Sequence, residues 1–303
     1  PNRRIKRKFD TLNKIRKFRE SIPDWLDDIG ASELGDKNWE KELSSLNKQA
    51  SVIIRTNTLN TSIDELKKIL SEEEIQTEKI KGFPDALKLI IRKNLFKTQA
   101  FKDGLFEIQD ASSQLVAPFL KVENGMKICD VCAGAGGKTL HLSALTQNKG
   151  QIIAMDIYKN KLFELKRRAK RNKAFNIETR AIENNKPIKR LYGKIDRLLI
   201  DSPCSGLGVL KRNPDSKWKL SLNFLNKIRK TQQEILTRYA PMIKKSGKLV
   251  YATCSILPSE NELQIENFLK SDIGKRFKIE DEKKISPHKS GFDGFYMVRL
   301  SYK

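Results

Sequence analysis

One stretch constrains this chain most: Lys127 to Thr139, reading KICDVCAGAGGKT. It opens as a short apolar run, Ile128 to Val131, then breaks into a loop carrying Gly134, Gly136 and Gly137 before a helical pattern begins. A strand that feeds a glycine loop and then a helix is a nucleotide-cradling unit. Glycine lets backbone approach a ligand closely, and the helix N-terminus offers unpaired N–H donors. A tight turn with no ligand is the plainer alternative.

Two nucleotide classes compete for that loop. A phosphate-binding P-loop needs G-x-x-x-x-G-K-[ST]. Gly137, Lys138 and Thr139 supply its second half, but its first glycine falls on Cys132. A Rossmann-type site instead carries an acidic residue about 20 positions on, at the end of the next strand, for ribose hydroxyls. Asp156 ends the run QIIAMD and meets that requirement. S-adenosyl-L-methionine fits such a loop, because it has a ribose and no phosphate. A dinucleotide fits less well, since the third glycine of G-x-G-x-x-G is missing.

From Gly125 onward strand and helix alternate. Strands are expected at 127–131, 151–155, 177–182, 197–200 and 248–253, and helices at about 138–145, 160–172, 222–239 and 259–269. The last helix opens with Ser259 and Glu262 at capping-box spacing. Alternation with helical crossovers gives a parallel, doubly wound sheet. Ahead of it, SVIIRTN, a helix from Thr61 to Leu70 (capped by Ser62 with Glu65), QTEKI and ALKLII spell β-α-β-β within about fifty residues. Small modules of this kind bind RNA by sheet or edge; a mere cap on the larger domain is the alternative. Residues 1–20 carry nine Lys or Arg and read as a basic helix, and KRRAKRNK, 166–173, reads as a solvated basic helix face.

The charge balance, 60 Lys plus Arg against 37 Asp plus Glu, gives a formal net charge of +23. A polyanion is the natural partner, and nucleic acid suits it better than a membrane, for which no anchor stands out. No apolar run reaches membrane-spanning length, and a cytoplasmic setting follows by elimination. The sequence opens on Pro1 rather than Met, which leaves its natural start open.

Ligands of open α/β sheets bind beyond the carboxyl ends of the strands. Two further strand ends carry unusual chemistry there: LLIDSPCSG, with Asp201 and Cys204, and LVYATCS, with Cys254. A thiolate is the common side chain able to add to an electron-poor ring carbon. Addition at C6 of cytosine makes C5 nucleophilic enough to take a methyl group, and a carboxylate holding the base edge would stabilise the adduct. Small core cysteines are the plainer alternative. A zinc site built with Cys129 and Cys132 is disfavoured, because Cys129 falls within its strand and no second C-x-x-C exists.

At this point the residues resemble a known family. CAGAGGKT, DIYKNKL, IDSPCSGLGVLKRNPDSKW, TQQEIL, GKLVYATCSILPSENE and GFDGFYMVRL follow the order found in RsmB-like RNA (cytosine-5)-methyltransferases. EIQDASSQLVAPFL resembles that family's entry to its catalytic domain, and SVIIRTNTLNTSIDEL its small N-terminal module. The resemblance runs from about Pro23 to the C-terminus. It implies methyl transfer from S-adenosyl-L-methionine to cytosine C5 in RNA, most often small-subunit ribosomal RNA. It also assigns the thiols: Cys254 attacks, whereas the DNA enzymes use the Pro-Cys cysteine, here Cys204, which in this family assists product release. Carried over by motif, Cys132, Ala133, Gly134, Ala135, Gly136, Gly137 and Lys138 line the methionine part of the cofactor. Asp156 holds the ribose, Glu183 contacts the adenine side, and Asp201 lies at the junction of cofactor and base. The family's loop usually has Pro where this chain has Ala135, and the all-helical N-terminal domain of some members has no counterpart in these residues.

The expectation is therefore an α/β fold, with a Rossmann-like doubly wound methyltransferase sheet and a smaller N-terminal α+β, RRM-like module. Residues 1–50 form a basic helical segment, 51–103 the RNA-binding module and 104–303 the catalytic domain. The expected enzyme is a monomer that binds RNA, not a membrane, and needs no metal. The rival readings are a non-catalytic RNA-binding or ribosome-assembly factor that keeps the fold, and a DNA methyltransferase.

Overall fold

The computed structural model describes residues 3–303. Its smaller sheet comes from β1 (Ile53–Thr56), β2 (Thr77–Lys79), β3 (Ala86–Leu89) and β4 (Phe106–Ile108), in the antiparallel order β2-β3-β1-β4. One helix, Ile63–Glu72, crosses between β1 and β2, and a short one, Gln99–Lys102, precedes β4. The fourth strand thus lies beyond residue 103, in a stretch read from sequence as a turn and the start of the next domain. Ser62 caps the first helix by accepting from the Glu65 N–H at 3.2 Å. The Glu65 carboxylate accepts from Thr61 Oγ1 rather than closing a reciprocal box.

Neither face of this sheet is free for stacked bases. One face, with Ile54, Leu87 and Phe106, is covered by Leu66 and Leu70 of the helix. On the other, Ile53 and Ala86 pack with Ala111. Beside them Arg55 and Glu107 are buried against the larger domain, with Arg55 Nη1 donating to the Gly137 carbonyl at 2.8 Å. Of the two expected modes, sheet or edge, the covered faces leave the edges; the second face is the contact with the larger domain, as the cap alternative had it.

The larger sheet has seven strands: β5 (Lys127–Asp130), β6 (Gln151–Asp156), β7 (Ile177–Ala181), β8 (Ile195–Asp201), β9 (Ile243–Thr253), β10 (Phe277–Ile285) and β11 (Phe295–Tyr302). Their order is β10-β11-β9-β8-β5-β6-β7. The five central and β7-side strands run parallel, as helical crossovers require, while β11 and β10 add antiparallel. A wholly parallel sheet was expected. The antiparallel edge escapes a pattern reading because β10, FKIEDEKKI, is exposed along most of its length and has no apolar run. Apolar clusters cover both sheet faces. The chain leaves β5 toward β6 and β7, then returns to the other side of β5 for β8. That reversal opens a crevice beyond the β5 and β8 ends.

The N-terminal helices Asp24–Leu34 and Asp36–Leu46 serve the same end of the sheet. Leu26, Trp39 and Leu43 pack on Leu207, Leu210 and Leu257, residues of the loops after β8 and β9. Gly30 lets the two helices meet, since a Cβ there would lie 2.2 Å from the Trp39 ring. The last long helix begins at Glu262 with Asn261 before it, not at Ser259, whose hydroxyl donates to Glu33 instead.

Candidate active site

The glycine loop is held open by its own backbone. Gly134 takes φ +53° and donates its N–H to Asp156 Oδ2 at 2.8 Å, while Tyr158 N–H donates to Oδ1 at 2.8 Å. Gly136, at φ +88°, precedes helix Gly137–Leu145, and any Cβ there would strike the Leu165 side chain at 2.5 Å. Arg168 Nη1 clamps the loop from the side, donating to the Ala135 carbonyl at 2.7 Å.

The P-loop half-match is occupied internally. Lys138 Nζ lies 2.6 Å from Asp201 Oδ2. Burial works against the Lys138 charge, yet Asp201 outweighs it and holds the ammonium above its usual range. Thr139 is fully buried and donates to Asp130 Oδ2 at 2.7 Å, so it is not available to a metal-bound triphosphate. Burial pushes the Asp130 carboxyl up to about 7, against the Thr139 bond. With Asp156 and Asp201 both at the strand tips, a pyrophosphate would meet carboxylates, whereas a ribose diol and a cationic group would be accommodated.

The two thiols meet. Parallel pairing of β8 with β9 sets Asp201 opposite Ala252, so the residues just past each strand share one side of the crevice. Cys204 Sγ and Cys254 Sγ are 3.3 Å apart. The hydrogen bond to Cys254, then burial, pushes the Cys204 thiol well up from its ordinary value. Cys132 faces the crevice, while Cys129 is sealed in β5, and no three of these cysteines converge among the described residues.

One buried carboxylate ties the two thiol loops together. Glu260 accepts from Ser205 N–H at 2.8 Å and from Ser255 Oγ at 2.6 Å, and also from Ser205 Oγ and Gln232. Ser205 follows Cys204 and Ser255 follows Cys254, so a single side chain fixes the spacing of both loops. Sequence reasoning passed over Glu260; its neighbours Ser259 and Glu262 were read as a helix cap.

A cavity of about 740 Å³ joins these parts. Cys132, Ala133, Gly134, Ala135, Gly137, Lys138, Asp156, Asp201, Cys204 and Cys254 line it. Gly136 does not; it shapes the turn. Glu183 is also outside, exposed and paired with Lys159 at 2.5 Å, and Ile182 takes the wall beside Asp156. The pairing of Ile182 N–H with the Asp156 carbonyl at 2.9 Å extends the strand past β7, and alternation then turns Glu183 outward. Sequence reasoning also missed Phe295 and one face of helix Leu222–Tyr239, namely Ile228, Thr231, Ile235 and Arg238. Their spacing of three and four residues was the available signal.

Residues 117–301 match the family model described as 16S rRNA methyltransferase RsmB/F, and residues 22–94 match its ferredoxin-like domain. A probable ribosomal RNA small subunit methyltransferase B of Synechocystis sp. is 36% identical over 82% of this chain and 56% of its own length. The methyltransferase B of Photorhabdus laumondii is 33% identical over 88% of this chain and 63% of its own. The chain thus spans less than two thirds of the length of either relative. A methyltransferase homologue from Pyrococcus horikoshii shares the fold at TM-score 0.83, with 23% identity over 97% of this chain and 99% of its own.

Proposed function

Because the chain belongs to the 16S rRNA methyltransferase RsmB/F family, we propose that it methylates C5 of a cytosine in small-subunit ribosomal RNA through a cysteine–C6 adduct. The observation that carries this reading is the 3.3 Å approach of Cys204 and Cys254 beside the Lys138–Asp201 pair, in one cavity with the glycine loop. Asp156 and the loop from Cys132 to Lys138 hold the cofactor, and S-adenosyl-L-methionine bound there supplies an electrophilic methyl group. Asp201, oriented by Lys138, accepts from the cytosine amino edge and fixes the ring over the thiols.

Cys254 Sγ adds to C6, and the electron pair of the C5–C6 double bond moves to C5. Once C5 carries the methyl group, its proton leaves to solvent. The C5–H electrons restore the double bond, and the C6–S bond breaks with its pair returning to sulfur. Cys204, kept protonated, hydrogen-bonds through its S–H to the departing Cys254 sulfur and steadies the thiolate as it leaves. Glu260 is a positioning residue for both sulfurs. The setting that goes with such a substrate is the cytoplasm, and among the described residues no helix is long and apolar enough to cross a membrane.

The test compares Cys254→Ala with Cys204→Ala, using labelled cofactor and unmodified small-subunit RNA. Cys254→Ala is expected to abolish methyl transfer. Cys204→Ala is expected to accumulate a denaturant-resistant protein–RNA adduct, because release stalls. Retained activity in Cys254→Ala, with loss only in Cys204→Ala, would reverse the two roles.

A further inference from the structure

A second concavity, about 770 Å³, lies between helix Asp36–Leu46 and the β10–β11 connection. It shares Phe295 with the thiol cavity and reaches Ser255, the residue after Cys254. Its floor is apolar and partly aromatic. Phe83 and Phe292 meet edge to face at 5.3 Å, with Leu115, Ile256 and Ile285 beside them. Its rim is cationic: Lys283 and Lys289 are exposed and, among the described residues, carry no carboxylate partner, whereas Lys284 is paired with Glu262. The walls are tied in advance. Buried Glu42 of the helix accepts from His288 N–H at 3.0 Å, from His288 Nδ1 at 2.7 Å and from Ser286 Oγ.

Aromatic apolar floors with unpaired lysines above them suit single-stranded nucleic acid, whose bases stack on a ring face while its phosphates stay at the rim. The thiol cavity admits one extruded base, and the strand that delivers it must continue past Ser255. We propose that this groove binds the unpaired nucleotide adjoining the target cytosine, its base on the Phe83–Phe292 floor and its phosphates at Lys283 and Lys289. The proposal rests on the RNA methyl-transfer reading and adds a specificity subsite to it. Selection of the target would then depend on the neighbouring base as well as on the cytosine.

Two variants probe the groove. Lys283→Glu with Lys289→Glu reverses the rim charge, and Asn38→Trp obstructs the groove from an exposed helix position without changing charge. Lys166→Glu with Lys170→Glu, on the exposed face of helix Lys159–Arg171, makes an equal charge change elsewhere. With in vitro transcribed small-subunit RNA, both groove variants are expected to raise the RNA Kd and KM about tenfold, while the control changes them less than about threefold. The Kd for S-adenosyl-L-methionine stays level in all three. A transcript carrying 4-thiouridine is expected to crosslink to the wild-type groove at Phe83 or Phe292. Unchanged RNA affinity in both groove variants, or an effect no larger than the control's, overturns the subsite. Groove crosslinks without any methylation would instead overturn the activity and leave the subsite standing.

Discussion

Glu260 is a buried side chain with no contact to the crevice, yet it fixes the distance between two sulfurs. Glu260→Ala leaves the Ser205 and Ser255 donors buried without an acceptor, a cost of about 1–3 kcal/mol per group. It also frees both thiol loops. A displacement near 1 Å at a reacting atom lowers turnover by about a hundredfold, so kcat should fall by about that factor. The cofactor Kd should hold, because Glu260 is absent from the cavity lining. Single-turnover adduct formation beside a cofactor titration checks this; equal losses in both would mean general unfolding instead. Asp130 titrates in the same neighbourhood with an opposite lesson. Its folded value, about 7, lies above its unfolded one, so it favours the fold fully below the unfolded value and loses that contribution as pH rises through 7. Asp130→Asn removes this dependence. Between pH 5 and 8 the variant should gain about 2 kcal/mol on the wild type, read by denaturant unfolding at both values.

At the scale of elements, the small sheet and the basic helix Lys159–Arg171 meet on one carboxylate. Glu107 of β4 accepts from Arg168 Nη2 at 2.7 Å and from Arg171 and Asn172. Burial would raise its value, but Arg168 leads the partners that hold it low. Glu107→Gln strips the charge from a buried network and should cost about 3 kcal/mol in denaturant unfolding. Because Arg168 also clamps the Ala135 carbonyl, the cofactor Kd should rise several-fold, a change that calorimetry detects. The block KRRAKRNK was therefore only half legible. Its lysines are solvated, but Arg168, Arg171 and Asn172 turn inward onto a partner sixty residues away, which no local pattern announces. The loop glycines, Asp156 and the two cysteine loops were legible because apolar strands point at them and turn chemistry follows at once. β10 was not, being a charged edge strand. Glu183 falls outside the cavity lining by one step of alternation at the end of β7, and Glu260 became visible only once two loops distant in sequence were seen to share it.

For the whole molecule the question is what a net charge of +23 serves. Solvated lysine faces alone would leave RNA affinity nearly independent of salt, since no counterions would be displaced from the RNA. The small sheet offers no open face for stacking, so under the proposed RNA methyl transfer the affinity would come from phosphate contacts over the molecular surface together with the few bases taken into cavities. On that reading, the basic helix Arg3–Asn13 and the groove rim spread such contacts over the surface. Five or more phosphate contacts imply a loss of about a hundredfold or more in RNA affinity between 50 and 200 mM salt. S-adenosyl-L-methionine, at the proposed site lined by Asp156 and Asp201, displaces no such atmosphere, and its Kd should move less than about twofold over the same range. Parallel titrations of the two ligands across that range separate the cases. A level RNA affinity would assign the excess charge to solvation and leave the groove floor and thiol cavity to supply the binding alone.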